Sequence, residues 1–186
     1  MTGHPQALRT DRLWLLPVDL ADARDLLAGR PPGLPPGVRP GRGWPHELTL
    51  LALAAAVDRG EDPTGTWWVV QADPDRRSGG PDGEVVGECG QKGAPGPDGV
   101  AEIGYSLAPA YRGRGLGTEA VQALVSWVAA QPGCRQVVAE VAADNLPSRR
   151  LLARLGFREQ AFADGYLRLA RSASGGGMTS ESRPPP

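Results

Sequence analysis

The 186-residue sequence has two cysteines, Cys89 and Cys134, and two histidines, His4 and His46, in no metal-ligating or CxxC spacing. No zinc site, other metal or disulfide scaffold is therefore expected. No apolar run approaches the ~20 residues of a membrane-spanning helix. The opening MTGHPQALRTDRL has no apolar core behind a basic segment, so neither a membrane anchor nor a secretory leader is expected, and the reading is cytoplasmic. An excess of one charge is also missing. Lys+Arg number 20 against 21 Asp+Glu, for a formal charge of −1, and such a chain has no global field with which to hold nucleic acid by counterion release. Lysine itself is nearly absent, Lys92 standing alone among arginines. That bias reflects genomic base composition more readily than a need for forked recognition at every position.

What is present is the composition of one globular domain, 40% hydrophobic and 22% charged. The 26 glycines and 19 prolines are clumped rather than dispersed. They mark loops at 29–45, 73–83 and 93–99 and a Ser/Gly/Pro segment at 172–186 that has little apolar surface to offset the entropy of ordering. The expected organisation is a flexible stretch over residues 1–8, one domain over 9–171 and a disordered tail over 172–186.

Between the loops the pattern alternates strands and helices. Residues 12–18 read as a strand and 20–27 as a helix capped by Asp19. Residues 48–58 read as a helix, and 66–71, with two tryptophans and two valines, as a strand. Strands at 84–91 and 100–107 follow as an antiparallel hairpin, the second placing Ala101, Ile103, Tyr105 and Leu107 on one face and Glu102, Gly104 and Ser106 on the other. From Gly115 the period becomes helical, with a wide stripe of Leu116, Ala120, Val121, Leu124, Val125 and Val128. A strand at 136–142, a helix at 146–155 stopped by Gly156 and a closing pair of strands at 157–162 and 165–170 complete a mixed α/β fold.

The segment Arg112-Gly113-Arg114-Gly115-Leu116-Gly117 lies between a strand and the widest helix, and ends at Thr118. Glycines let backbone approach a phosphate, the first helical N–H groups lack internal partners, and the helix dipole favours an anion there. Arg112 and Arg114 add charge-assisted donors. A Walker A loop would need Lys before Thr118, and a dinucleotide fingerprint would need GxGxxG near the start of a doubly wound unit.

This segment resembles the cofactor signature of the GNAT family of N-acetyltransferases, in which Arg or Gln, two residues, Gly, one residue and then Gly or Ala stand as Arg112, Gly115 and Gly117 do here. Glu102-Ile103-Gly104-Tyr105 with Pro109 and Tyr111 before it, Glu119-Ala120 after it, and Asp144-Asn145, Ser148, Gly156 and Phe157 downstream are similar to the branch that acetylates ribosomal-protein N-terminal alanines. So is the opening Arg9-Thr10-Asp11-Arg12-Leu13. The resemblance implies a single α/β domain with a mixed central sheet, about four flanking helices, and a V-shaped splay between the strands at 100–107 and 136–142. It implies acetyl-CoA as co-substrate, with the pantetheine arm bonded by the backbone of Tyr105, Ser106 and Leu107, the pyrophosphate on Gly113, Arg114, Gly115, Leu116, Gly117 and Thr118, and Asn145 reaching the arm. Asn145 also stands where a helix N-cap is wanted.

Acetyl transfer to an amine needs a base, an oxyanion donor and a proton for the leaving thiolate. The resemblance offers the Leu107 backbone N–H as oxyanion donor. Glu102 ranks first as base, with Glu140 and Glu88 behind it. The tyrosine that the family often uses as acid is replaced by Leu152, so Ser148 is the remaining candidate to supply or relay the proton. Cys89 is not needed, since direct attack requires no acyl-enzyme. Trp44, Trp67 and Trp68 with the 29–45 loop are candidates to wall the acceptor pocket, with at least one of Trp67 and Trp68 turned into the core by strand alternation. The acceptor is a primary amine on a protein or small molecule, the assembly a monomer or homodimer. The alternatives are a coenzyme A-binding sensor of the same fold and an enzyme for another acyl-CoA.

Overall fold

The structure is a computed structural model and describes residues 6–58, 65–74 and 80–173. The expected flexible start and tail, and part of the loop at 73–83, fall largely outside the described residues. Strand β1 (Leu8–Arg9) pairs with β2 (Leu13–Pro17) and is followed by α1 (Leu20–Leu27), whose first turn is closed by the Asp19 carboxylate accepting from the Asp22 N–H at 2.7 Å. A short β3 (Val38–Pro40) and α2 (Glu47–Asp58) lead to β4 (Thr66–Ala72), β5 (Gly83–Gln91) and β6 (Val100–Leu107). A 3-10 turn at Pro109–Tyr111 precedes α3 (Leu116–Ala129), and β7 (Gln136–Ala142), α4 (Leu146–Arg154), β8 (Arg158–Ala163) and β9 (Tyr166–Ser172) finish the domain.

The described strands form one open mixed sheet in the order β1-β2-β4-β5-β6-β7-β9-β8, with β3 added in parallel beside β5. Strands β1 and β3 have no counterpart in the sequence reading. Each is two or three residues long, too short for alternation to register, and each exists because a neighbouring strand offers an edge. No described helix is long and apolar enough to cross a membrane.

At β4 both faces of the sheet are covered. Trp67 is fully buried and meets Trp127 of α3 edge-on at 4.6 Å, while Trp68, next along β4, meets Trp44 edge-on at 5.2 Å on the other side. Cross-strand register makes each face a continuous row: Trp68 opposite Glu88 opposite Ser106, and Trp67 opposite Cys89 opposite Tyr105. The α3 stripe read from the sequence is buried at all six of its positions.

Candidate active site

The parallel pair β6–β7 is joined only from Val100–Ile103 to Gln136–Ala139. Beyond those residues the two strands part, leaving Gly104 to Leu107 on one side and Glu140 to Ala142 on the other. The hydrogen-bond pattern of β6 fixes what faces the gap. Ala108 N donates to Val86 O and Lys92 N to Glu102 O, so the pairs Glu88–Ser106 and Gly90–Gly104 exchange bonds while Cys89–Tyr105 and Gly87–Leu107 do not. The N–H and C=O groups of Tyr105 and Leu107 therefore point away from β5 and into the splay. Arg112 Nε donates to Leu107 O at 2.8 Å, tying the next turn to the end of this strand.

That turn opens at the same end. Gly113 and Gly115 take φ of 75° and 78°, left-handed values suited to glycine, and Gly115 is the N-cap of α3. Glu119 N is the first to donate back, to Gly115 O at 3.1 Å, which leaves the N–H groups of Leu116, Gly117 and Thr118 directed outward. Arg112 and Arg114 are exposed beside them. The N-terminal segment braces the turn: Arg12 donates to Arg114 O at 3.0 Å and to Glu119 at 2.7 Å, and Thr10 Oγ1 donates to Glu119 at 2.6 Å. Burial pushes the Glu119 carboxyl up, but the Thr10 hydroxyl and the Arg12 N–H and guanidinium outweigh it and hold the group below the usual range.

On the α3 side of β6, Tyr105 Oη is buried and completes no hydrogen bond. Burial raises its pKa and the nearby Ser148 hydroxyl of α4 opposes that rise, without reaching bonding geometry. An orphaned phenol and a hydroxyl beside a parted pair of strands suit a polar ligand arm lying between them. Asn145 is committed differently: its Oδ1 accepts from Ser148 N at 3.2 Å, capping α4. Leu152, where the family's tyrosine would stand, is fully buried.

On the other side of the sheet lies a cluster that sequence ranking put last. Glu88 is 5% exposed. Its Oε2 accepts from Thr49 Oγ1 at 2.5 Å and its Oε1 accepts from Ser106 Oγ. His46, just before α2, brings Nδ1 within 2.6 Å of Thr49 Oγ1 and Nε2 within 3.0 Å of Ser106 Oγ. Burial pushes the Glu88 carboxyl up, partly offset by the Ser106 and Thr49 hydroxyls. Burial and then the Arg112 charge push the His46 imidazole down. Trp44 and Trp68 stand on this face and Trp67 on the opposite one.

The two carboxylates ranked ahead of Glu88 are placed elsewhere. Glu102 lies in the paired half of β6 and is bound to Lys92 Nζ at 2.5 Å. Glu140 lies on the splayed half of β7 but is exposed and 3.5 Å from Arg168 of β9. Cys89 is buried, its thiol pushed up by burial and by Glu88, so it is held protonated. His46 and Thr49 were missed outright. A lone histidine in a Gly/Pro loop and a threonine in a Leu/Ala helix carry no local signal; only the docking of α2 on β5 and β6 unites them.

Residues 12–158 match the family described as acetyltransferase (GNAT) domain. The chain is 35% identical over 74 residues to the uncharacterized N-acetyltransferase YjdG of Bacillus subtilis, covering 40% of this chain and 44% of that one. It thus spans less than half the length of this curated relative. A solved GNAT-family acetyltransferase from Bordetella pertussis is 31% identical, with a TM-score of 0.60 over 90% of this chain and 99% of that one. The ribosomal L7/L12 alpha-N-protein acetyltransferase RimL, solved in complex with coenzyme A, shares the fold at 17% identity and a TM-score of 0.54, over 89% of this chain and 97% of that one.

Proposed function

The chain belongs to the GNAT acetyltransferase family, and from that premise we propose that it transfers an acetyl group from acetyl-CoA to a primary amine by direct attack within a ternary complex. The observation that carries this reading is the parting of β6 from β7 after Ile103 and Ala139, with the backbone groups of Tyr105 and Leu107 turned into the gap and a glycine-rich helix start at its open end. The pantetheine arm would pair with that free edge of β6. Arg112, Arg114 and the outward N–H groups of residues 116–118 would hold the pyrophosphate.

In this reading Glu88 is the general base. It is buried and polarised through Ser106, on the strand that lines the gap. A carboxylate whose pKa is raised by burial accepts a proton from an ammonium more readily than an exposed one. The Leu107 N–H would meet the carbonyl oxygen as it gains charge, and Ser148, with Tyr105 beside it, would return a proton to the thiolate. The acceptor enters over the Trp44 and Trp68 face, on which α2 supplies Thr49 and His46 stands just before that helix. Use of acetyl-CoA goes with a cytoplasmic setting.

A coenzyme A-binding sensor is the second reading, favoured by Leu152, which is sealed in the core and has no acid to offer. Thiol release from acetyl-CoA across a panel of peptides with free N-termini and small primary amines separates the two. Release with any amine supports the enzyme, and tight coenzyme A binding with no release across the panel overturns it. Running the panel with longer acyl-CoA donors tests the choice of acyl group.

A further inference from the structure

Glu88 and the three side chains around it close a ring of four links: Thr49 to Glu88, Thr49 to His46, Ser106 to Glu88 and Ser106 to His46. Each link needs one hydrogen. The two hydroxyls bring one each and a neutral imidazole brings one, while an ionised carboxylate brings none. With Glu88 ionised and His46 neutral the ring is therefore one proton short, and one link has lone pair facing lone pair.

One added proton closes it in either of two ways. As imidazolium, His46 donates to both hydroxyls and both hydroxyls donate to the carboxylate. Alternatively Glu88 Oε1 carries the proton and donates to Ser106, Ser106 donates to His46 Nε2, His46 Nδ1 donates to Thr49, and Thr49 donates to Glu88 Oε2. The two arrangements differ only by the passage of two hydrogens through one hydroxyl. Depth gives the ring a direction, because Glu88 and Thr49 are buried whereas Ser106 and His46 are partly exposed.

We propose that Glu88, Ser106, His46 and Thr49 act as one base with a single shared proton site, which takes the acceptor's proton at its exposed edge and stores it on the buried carboxylate. This rests on the acetyltransferase reading of the site. In the step, an N–H bond of the ammonium breaks, its proton goes to Ser106 Oγ, and the hydrogen of Ser106 passes to Glu88 Oε1. The amine keeps the electron pair with which it attacks, and no further reactant is needed. Burial of Glu88, burial of His46 and the charge of Arg112 from the neighbouring turn all favour the arrangement with the proton on Glu88. Cys89, the titratable neighbour on the same strand, faces the opposite side of the sheet and stays protonated.

The test is a pH titration by NMR of the full chain without ligand, reading the ¹⁵N shifts of the imidazole and the ¹³C shift of the Glu88 carboxyl. The only other histidine is His4, so a His4→Gln chain leaves one imidazole to follow. A shared proton makes Glu88 and His46 step at a common midpoint. In Glu88→Gln the amide donates to one hydroxyl and accepts from the other, closing the ring with a neutral imidazole, so the proton affinity of His46 falls at least about tenfold, one pH unit. Separate midpoints with no common step overturn the proposal, as does a His46 titration that Glu88→Gln leaves in place. The common step is read on native side chains, so a variant that fails to fold does not remove the test. A common step without thiol release keeps the ring and sinks the transfer reading; release with separate midpoints does the reverse.

Discussion

The Glu88→Gln variant should melt higher than the native protein at pH 8 and turn over more slowly. Glu88 is 5% exposed and held by two hydroxyls, and its pKa in the fold is raised above the ordinary 4.5, with burial the largest cause. Below that value both folded and unfolded chains carry the proton, glutamine is nearly isosteric with it, and the two proteins should melt together. As pH rises through the folded-state pKa, the unfolded chain releases the proton more easily than the native site does, and the native protein loses stability. Each unit of upward displacement is worth about 1.4 kcal/mol. At about 2–4 °C per kcal/mol for a chain of this size, each such unit opens a gap of about 3–6 °C in favour of the variant. Turnover should fall by about 10²–10⁴, the scale of a lost general base. Calorimetry from pH 4 to 9 and thiol release on the best amine of the panel measure both. A melting gap that does not change with pH, or one that favours the native protein as pH rises, refutes the reasoning about the buried carboxylate, and unchanged turnover removes Glu88 as base.

Glu102→Gln should leave turnover near native, because Glu102 is ion-paired with Lys92 at the closed end of the splay; a fall of about 100-fold would return the base to that residue. Glu119→Ala removes the anchor of Thr10 and Arg12 beneath the glycine-rich turn. It should raise the KM for acetyl-CoA more than it lowers kcat, and cost about 1–3 kcal/mol in denaturant titrations. Since the pKa of Glu119 is depressed in the fold, that loss should be full above its unfolded-state pKa and fade as pH falls through the folded value. Tyr105→Phe deletes a buried hydroxyl that completes no hydrogen bond. The ligand-free variant should be at least as stable as the native chain, while the melting shift produced by coenzyme A shrinks; an equal shift would mean that the phenol does not meet the cofactor.

The sequence by itself determined the elements and their order where side-chain pattern and turn chemistry act locally. The Asp19 cap, the α3 stripe and the Gly156 stop each depend on neighbours within a few residues, and each stands where the pattern put it. The glycine-rich turn before α3 was legible for the same reason, since its glycines, arginines and outward N–H groups are contiguous. Residues joined from different strands and loops were decided only by the tertiary structure. Alternation put Glu102 and Ser106 on one face of β6, but it carries no information on where β7 leaves that strand, and the parting after Ile103 sets Glu102 at the closed end and Ser106 at the open one. Both tryptophans of β4 are buried because both faces of the sheet are covered, a fact no alternating pattern could register. Glu88, His46 and Thr49 are up to 42 residues apart in sequence, the span from 46 to 88. Only the packing of α2 over β5 and β6 excludes enough water, and brings enough hydroxyls, to turn an ordinary surface-type carboxylate into a buried, hydroxyl-bound one.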